Sequence, residues 1–522
     1  MGIVREMESA LCGFVPCADV SGVGRWKGCT YRDATERPFD VLRRLTASAL
    51  LLAALAVPAS ATASASPIEW GPCKGLPQPV TGMECGKLTV PLDHADPRAG
   101  TIELPVARVK ATGRRLGSLV MHFGGGGANG VASLAAQHTR FQALRAGYDL
   151  VAFDPRGTGT AAPLRCADGR SIGRLLDLDP GYDKTFLRET AAFVRGCVKG
   201  ARIVGHAGSG DTARDMDRLR AALGEDRLDY YGVSYGSVVG GVYATLFPGR
   251  VGRVVLDAGL DPGLDSLRTE SQVATSMQRS YERFLADCVR RGCALGKDVK
   301  AANGAVERLL KRLERAPLPV GDRRLGRGQA TNALMLTSSL PLWPELEARL
   351  ARAVQGDGKP LLEAADLLTQ ARPDGTYGME EITASSMLAY CHDKRRSSWR
   401  EIRRDEVRMK RTSPIFGPSA VAGRFLGPAC NFWPVPDRPE GRTVAHTGKT
   451  PIVVVGSKND LAAPLTGAAA LAGKLRTGVL ISYQGDLHGA YPDGGSCVAG
   501  PVEGYLLRGI VPGQGITCPA VP

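Results

Sequence analysis

The sequence predicts an α/β protein, a mostly parallel, doubly wound sheet interrupted late in the chain by a large helical lid. Three observations predict it. Short β-rich runs alternate with helical runs from residue 117 to residue 257. That alternation stops after Asp257 and gives way to helical periodicity as far as about residue 448. Two further β-rich runs then follow, at 451–455 and 478–483. Strands alternating with helices require crossover connections, and these make neighbouring strands parallel.

In chain order, 88–92 and 102–109 read as two entry strands. The apolar run 117–123 is a third, opening into the glycines of 124–127. Tyr148-Asp-Leu-Val-Ala-Phe153 is a buried strand closed by the turn Asp154-Pro-Arg-Gly-Thr-Gly159. Met216, Leu219 and Leu223 share one helical face, and Gly224 ends that helix. A strand over 228–233, a small-residue helix over 237–247 and a strand over 251–256 complete the alternation. Within the lid, helices are expected over 273–289, 302–315, 342–354 and 379–392.

Composition narrows the function. With 43% hydrophobic residues the chain buries a sizeable core. At 522 residues it is too long for one compact unit, so a catalytic domain with an insertion is expected. The net charge of +14 raises nucleic acid as a partner. The basic residues are interleaved with acids, however, and even 394–411 carries Glu401, Asp405 and Glu406. That stretch reads as a solvated helix face, and no nucleic-acid partner is expected.

Arg43 and Arg44 precede an apolar run over 45–57, followed by Pro58 and the small-x-small sites Ala61-Thr-Ala63 and Ala63-Ser-Ala65. This is the order of an export signal, too short to span a bilayer. The expected division is a long or non-native leader (1–40), a signal peptide (41–65), a first core part (66–260), a helical lid and linker (261–448) and a C-terminal core part (449–522). No later apolar run reaches the ~18 residues of a membrane span, so secretion without a membrane anchor is expected. Beyond the leader lie ten cysteines, an even set that reads as disulfides in an exported chain. Pairing sequence neighbours gives 73–85, 166–197, 288–293, 391–430 and 497–518 as the simplest connectivity.

The chemistry centres on Gly232-Val233-Ser234-Tyr235-Gly236, placed between an expected strand and an expected helix. This G-x-S-x-G elbow exposes a serine hydroxyl at a strained turn in α/β hydrolases. The hydroxyl needs a base, and the base needs an acid to hold its tautomer, in the chain order Ser, Asp/Glu, His. Four of the seven histidines precede the serine, His392 is mid-lid, and His446 just precedes a strand. His488 follows the last of these strands in a loop that can reach the serine. Asp460 ends Gly456-Ser-Lys-Asn-Asp460 directly after the penultimate strand and is the expected acid; Asp257 is the alternative. Tyr235 and Gly125, or else Gly126, are expected to supply the two backbone N–H groups that hold a developing oxyanion. No G-x-x-x-x-G-K-[ST], H-E-x-x-H or Cys/His zinc spacing occurs, so neither cofactor nor metal is expected.

Several motifs together resemble the secreted tripeptidyl-aminopeptidase-like branch of bacterial α/β hydrolases, related to proline iminopeptidases. They are Asp154-Pro-Arg-Gly-Thr-Gly159 with Pro163-Leu-Arg-Cys166, Asp217-Arg-Leu-Arg-Ala-Ala-Leu-Gly224, the elbow, and Leu256-Asp-Ala-Gly-Leu-Asp-Pro262. Cys391-His-Asp393, Cys430-Asn-Phe-Trp-Pro434, Asp460 with Pro464, and Tyr505-Leu-Leu-Arg-Gly509 with Cys518 continue the likeness. The resemblance implies the same triad of Ser234, Asp460 and His488. Two departures stand out. His122-Phe-Gly-Gly-Gly-Gly-Ala-Asn-Gly130 replaces the family's two loop prolines with Phe123 and Gly126, and Ala463 replaces the usual threonine before Pro464.

The reading is therefore a monomeric, secreted serine exopeptidase that frees tripeptides or single residues from free N-termini. A carboxylesterase or amidase using the same triad is the alternative, and a catalytically silent binding protein is disfavoured by the complete triad. Amine recognition calls for a lid carboxylate, with Glu380, Glu381 and Asp393 as candidates and a structural or surface role as the competing reading of each.

Overall fold

A computed structural model describes residues 67–521, apart from 77–79, 126–128, 167, 180–182 and 420–424. The leader and signal-peptide readings, and Gly126, lie outside the described residues.

Strands β1 (Gly71–Pro72), β2 (Met83–Pro91), β3 (Thr101–Val109), β4 (Gly117–His122), β5 (Tyr148–Phe153), β6 (Leu228–Val233) and β7 (Val251–Asp257) form the first part of one sheet. A small separate hairpin, β8 (Leu318–Val320) and β9 (Arg323–Leu325), follows. β10 (Ile452–Ser457), β11 (Gly478–Tyr483) and β12 (Ile516–Cys518) complete the sheet, whose spatial order is β1-β2-β3-β5-β4-β6-β7-β10-β11-β12. From β5 onward every neighbouring pair is parallel, whereas β1, β2 and β3 enter antiparallel.

Both faces of the central strands are covered, which explains their continuous apolar runs. The two-residue period sends Val120, Val254 and Val454 to one face, where Met216, Leu219, Val239 and Leu471 cover them. It sends Leu119, Val255 and Val453 to the other, under Leu134, Val498 and Val502. The lid helices build a core of their own around Phe284, Leu309, Leu346 and Phe416.

The lid departs from the expected pattern in two ways. The β8–β9 hairpin interrupts the helical stretch at Gly321, whose φ of 61° suits the turn. The cap also takes two helices from between β5 and β6, Ser171–Asp177 and Lys184–Val198. Their Leu175, Phe186, Phe193 and Val194 are buried in one cluster with Met387, Leu388, Phe425 and Ala429 of the later segment. The basic helix Trp399–Thr412 turns Arg403 and Arg404 outward but buries Ile402, Asp405, Glu406 and Met409, so one face of it belongs to the core.

All five disulfides join sequence neighbours: Cys73–Cys85, Cys166–Cys197, Cys288–Cys293, Cys391–Cys430 and Cys497–Cys518. No helix among the described residues is long and apolar enough to cross a membrane.

Candidate active site

Ser234 stands between β6 and the helix Tyr235–Leu246, with φ 56° and ψ −118°. An L-residue held there costs on the order of 1–3 kcal/mol, so its surroundings must enforce it. Ser234 N donates to Asp257 O at 2.9 Å, while Ser237 donates to Ser234 O from both its N–H (2.8 Å) and its hydroxyl (2.6 Å). The flanking glycines are needed for space. A Cβ on Gly232 would stand 2.6 Å from Gly236 O, and one on Gly236 would stand 2.7 Å from His122 O.

Asp460 lies in the turn after β10 and His488 in the loop after β11. The His488 Nδ1 is 2.9 Å from each Asp460 carboxylate oxygen. Asp460 Oδ1 also accepts the N–H groups of Ala462 (2.9 Å) and Ala463 (3.0 Å), and its side chain is fully enclosed. These are backbone donors, so the alanine at 463 preserves them. Burial pulls the imidazole's pKa down, but the Asp460 hydrogen bond and charge outweigh it, and the pKa is held above the ordinary histidine value.

His488 shares no hydrogen bond with Ser234 among the described residues. Its neighbour Gly489 nevertheless abuts the serine's neighbour, since a Cβ there would lie 3.2 Å from Val233 Cγ1. Asp257 anchors this loop. It is wholly buried and accepts the N–H groups of Ala258, Ala490 and Tyr491 and the Tyr231 hydroxyl. Burial raises its pKa against those four hydrogen bonds.

On the other side, Tyr235 opens its helix, so its N–H has no carbonyl within the helix to bond. Gly124 closes directly on the elbow, and a Cβ there would be 2.7 Å from Val233 O and 3.0 Å from Ser234 Cβ. Gly125 follows it, with φ 52°. Asp154 steadies the helix after this loop by accepting Val131 N at 3.0 Å.

The family profile described as the alpha/beta hydrolase fold matches residues 117–494. The chain belongs to the α/β-hydrolase family. Among relatives of this hydrolase, serine protease Hip1 of Mycobacterium tuberculosis is 33% identical over 87% of this chain and 91% of its own. A tripeptidyl aminopeptidase of Streptomyces lividans is 31% identical over 88% of each chain. A carboxylesterase B of Mycobacterium tuberculosis is 28% identical over 86% of this chain and 89% of its own. Family and relatives together make the chain a serine hydrolase.

The hydrolase's three lid acids part company. Glu380 is buried and accepts Ser171 N at 2.8 Å, starting the first cap helix. Asp393 is buried too and accepts Ser209 N and the Ser209 hydroxyl, which lies 2.8 Å from the Tyr235 hydroxyl. Burial lifts Asp393 to a pKa of about 6, against the Ser209 hydrogen bonds that lower it. Asp393 is thereby committed to the fold, and Glu380 is tied to it through one carboxylate oxygen, Oε2. Glu381 alone is exposed, on a cavity of about 290 Å³ that also reaches Asn129 and Gly159. Sequence reasoning passed over Glu270, the one acid lining an otherwise largely apolar cap chamber of about 380 Å³ walled by Leu175, Val273, Met335 and Phe425. It lies in an unremarkable run of polar helix, so no motif marks it.

Proposed function

We propose that this hydrolase is an exported exopeptidase that frees tripeptides from peptides with a free N-terminus, using Ser234, His488 and Asp460. The likeness to a tripeptidyl aminopeptidase over 88% of both chains carries the reading. The Asp460–His488 pair beside the strained Ser234 supports the roles.

In this reading His488 Nε2 takes the Ser234 proton as Oγ bonds to the scissile carbonyl carbon. The oxyanion is held by the N–H groups of Tyr235 and Gly125. Collapse breaks the C–N bond, and the imidazolium returns the proton to the leaving amine. Water then repeats the sequence on the acyl-serine and restores the enzyme. Glu381, exposed on a cap cavity, is the lid carboxylate put forward to meet a substrate ammonium, while Glu270 borders the apolar chamber and accepts Gly427 N–H at 2.9 Å. A desolvated cation without such a partner costs several kcal/mol. Five disulfides support export.

Acetylating the N-terminus of a good tripeptidyl anilide is the decisive test, because it removes the cation and leaves the scissile bond. A fall in kcat/KM of at least ~100-fold is expected, about 2.7 kcal/mol. Ser234→Ala should lose about 10⁶-fold and should no longer be labelled by a fluorophosphonate. Equal rates on free and blocked substrates would favour the carboxylesterase or amidase reading, which the carboxylesterase B relative supports.

A further inference from the structure

The long cap helix Ser266–Arg291 has two working faces. Thr269, Glu270 and Val273 line the apolar chamber. Arg268, Gln272 and Arg279 line a groove on a face about 120° round the helix, at 100° per residue. The groove consists of two cavities, of about 670 and 390 Å³, sharing Ser276, Arg279, Lys458 and Pro464 as walls. Its inner end is lined by Asn459 and Asp460. Arg283 of the same helix pairs with Asp486 at 2.7 Å, two residues before His488, so this wall is tied to the histidine loop.

The groove carries a surplus of positive charge. Arg268, Arg279, Arg283, Arg408 and Lys458 line it, against Glu282 and Asp460. Arg283 is taken up by Asp486 and Arg408 by Asp405, and Arg268 stands 3.8 Å from Asp265. Asp460 is paired with His488. Arg279 and Lys458 are exposed and form no ion pair among the described residues. Hydroxyl and amide groups of Ser271, Gln272, Thr275 and Thr466 fill the remaining wall.

We propose that this groove receives the segment of a peptide substrate that follows the scissile bond, and that it favours acidic side chains there. The inference rests on the peptidase reading above. His488 hands its proton to the leaving nitrogen, so the chain beyond that nitrogen departs on the histidine's side, and the groove is the cavity bordered by that histidine's partner Asp460 and by Arg283, which is paired with Asp486 of the same loop. Arg279 and Lys458, partly solvated and opposed in the wall only by the exposed Glu282, which forms no ion pair among the described residues, favour an acidic segment by about tenfold at low salt, with the preference screened at high ionic strength.

The test measures binding apart from turnover. Full-length Ser234→Ala is titrated against fluorescein-labelled pentapeptides having three neutral residues followed by Glu-Glu, Gln-Gln or Lys-Lys. Anisotropy at 20 mM salt should place Glu-Glu about tenfold tighter than Gln-Gln and Lys-Lys weakest, with the differences shrinking at 300 mM. Adding Arg279→Glu and Lys458→Glu should reverse the order; the milder Arg279→Gln with Lys458→Gln should level it should the reversed protein not fold. In active enzyme, the acidic-to-neutral ratio of kcat/KM should follow the same pattern. Equal affinities, absent binding, or a preference that survives the substitutions overturns the groove. Loss of cleavage on every peptide, with the binding preference intact, overturns the peptidase reading instead.

Discussion

Both oxygens of the Asp460 carboxylate lie 2.9 Å from His488 Nδ1. That leaves Nε2 as the nitrogen able to accept a proton from Ser234. Asp460→Asn should keep the fold and lower kcat by roughly 10⁴-fold, since an amide donor at Nδ1 favours the wrong tautomer. Asp257→Asn should behave differently, because three backbone N–H groups and a tyrosine hydroxyl converge on that buried carboxylate. Its main effect should be a lower melting temperature, with roughly 1–3 kcal/mol lost per donor left unpaired. A near-normal rate in Asp460→Asn, with a 10⁴-fold loss at unchanged stability in Asp257→Asn, would exchange the two roles.

With His488 as the proposed base, its raised pKa should set the acid limb of activity. The base works only when neutral, so kcat/KM should fall as pH drops through a value above the ordinary 6.5 of histidine. Weakening the carboxylate reverses the balance. In Asp460→Asn the charge is gone while burial remains, so the residual activity should show its acid limb at lower pH. A limb that stays in place in the variant would mean another group governs it.

Asp393 makes stability depend on pH. Its pKa rises from 3.8 to about 6 on folding, so the folded protein binds that proton more tightly than the unfolded chain. The contribution is fully present below 3.8 and is lost as pH climbs through about 6. Asp393→Asn never acquires the charge. Its melting temperature relative to wild type should therefore improve between pH 4 and pH 8, and parallel curves would count against it.

Disulfide removal should scale with the loop each bond closes. Cys391–Cys430 spans 39 residues and Cys288–Cys293 only 5. Chain entropy assigns them about 4 and about 2 kcal/mol. Paired alanine substitutions compared by denaturant unfolding should preserve that order. Alkylation of the recovered wild-type protein without reductant should modify none of the ten cysteines.

Much of the sheet and the elbow was legible because local patterns carried them. Ser234 sits in a five-residue motif, and Asp460 and His488 each follow an apolar β run in the required chain order. The role of Asp257 was not legible, since its partners Ala490 and Tyr491 arrive only through tertiary packing. For Asp393 the sequence left a substrate role and a structural role both open, for the same reason. A carboxylate at the end of one cap helix looks available for substrate until Ser209, far earlier in the chain, is seen to occupy it. The helix Lys184–Val198 did have a pattern, with Phe186, Thr190, Phe193, Val194 and Cys197 on one face. Its place in the cap had none, because a helix's sequence does not name the face that covers it.

That divided cap imposes an order in time. Synthesis delivers the 184–198 helix roughly two hundred residues before the segment that covers it. Until 379–430 emerges, Phe186, Phe193 and Val194 have no later-arriving partner to bury them. Cys166 and Cys197 are both present by then and can close early, holding the first cap segment together while it waits. Cys391–Cys430 belongs to the opposite moment, fastening the two helices that finally arrive as the lid of that waiting surface.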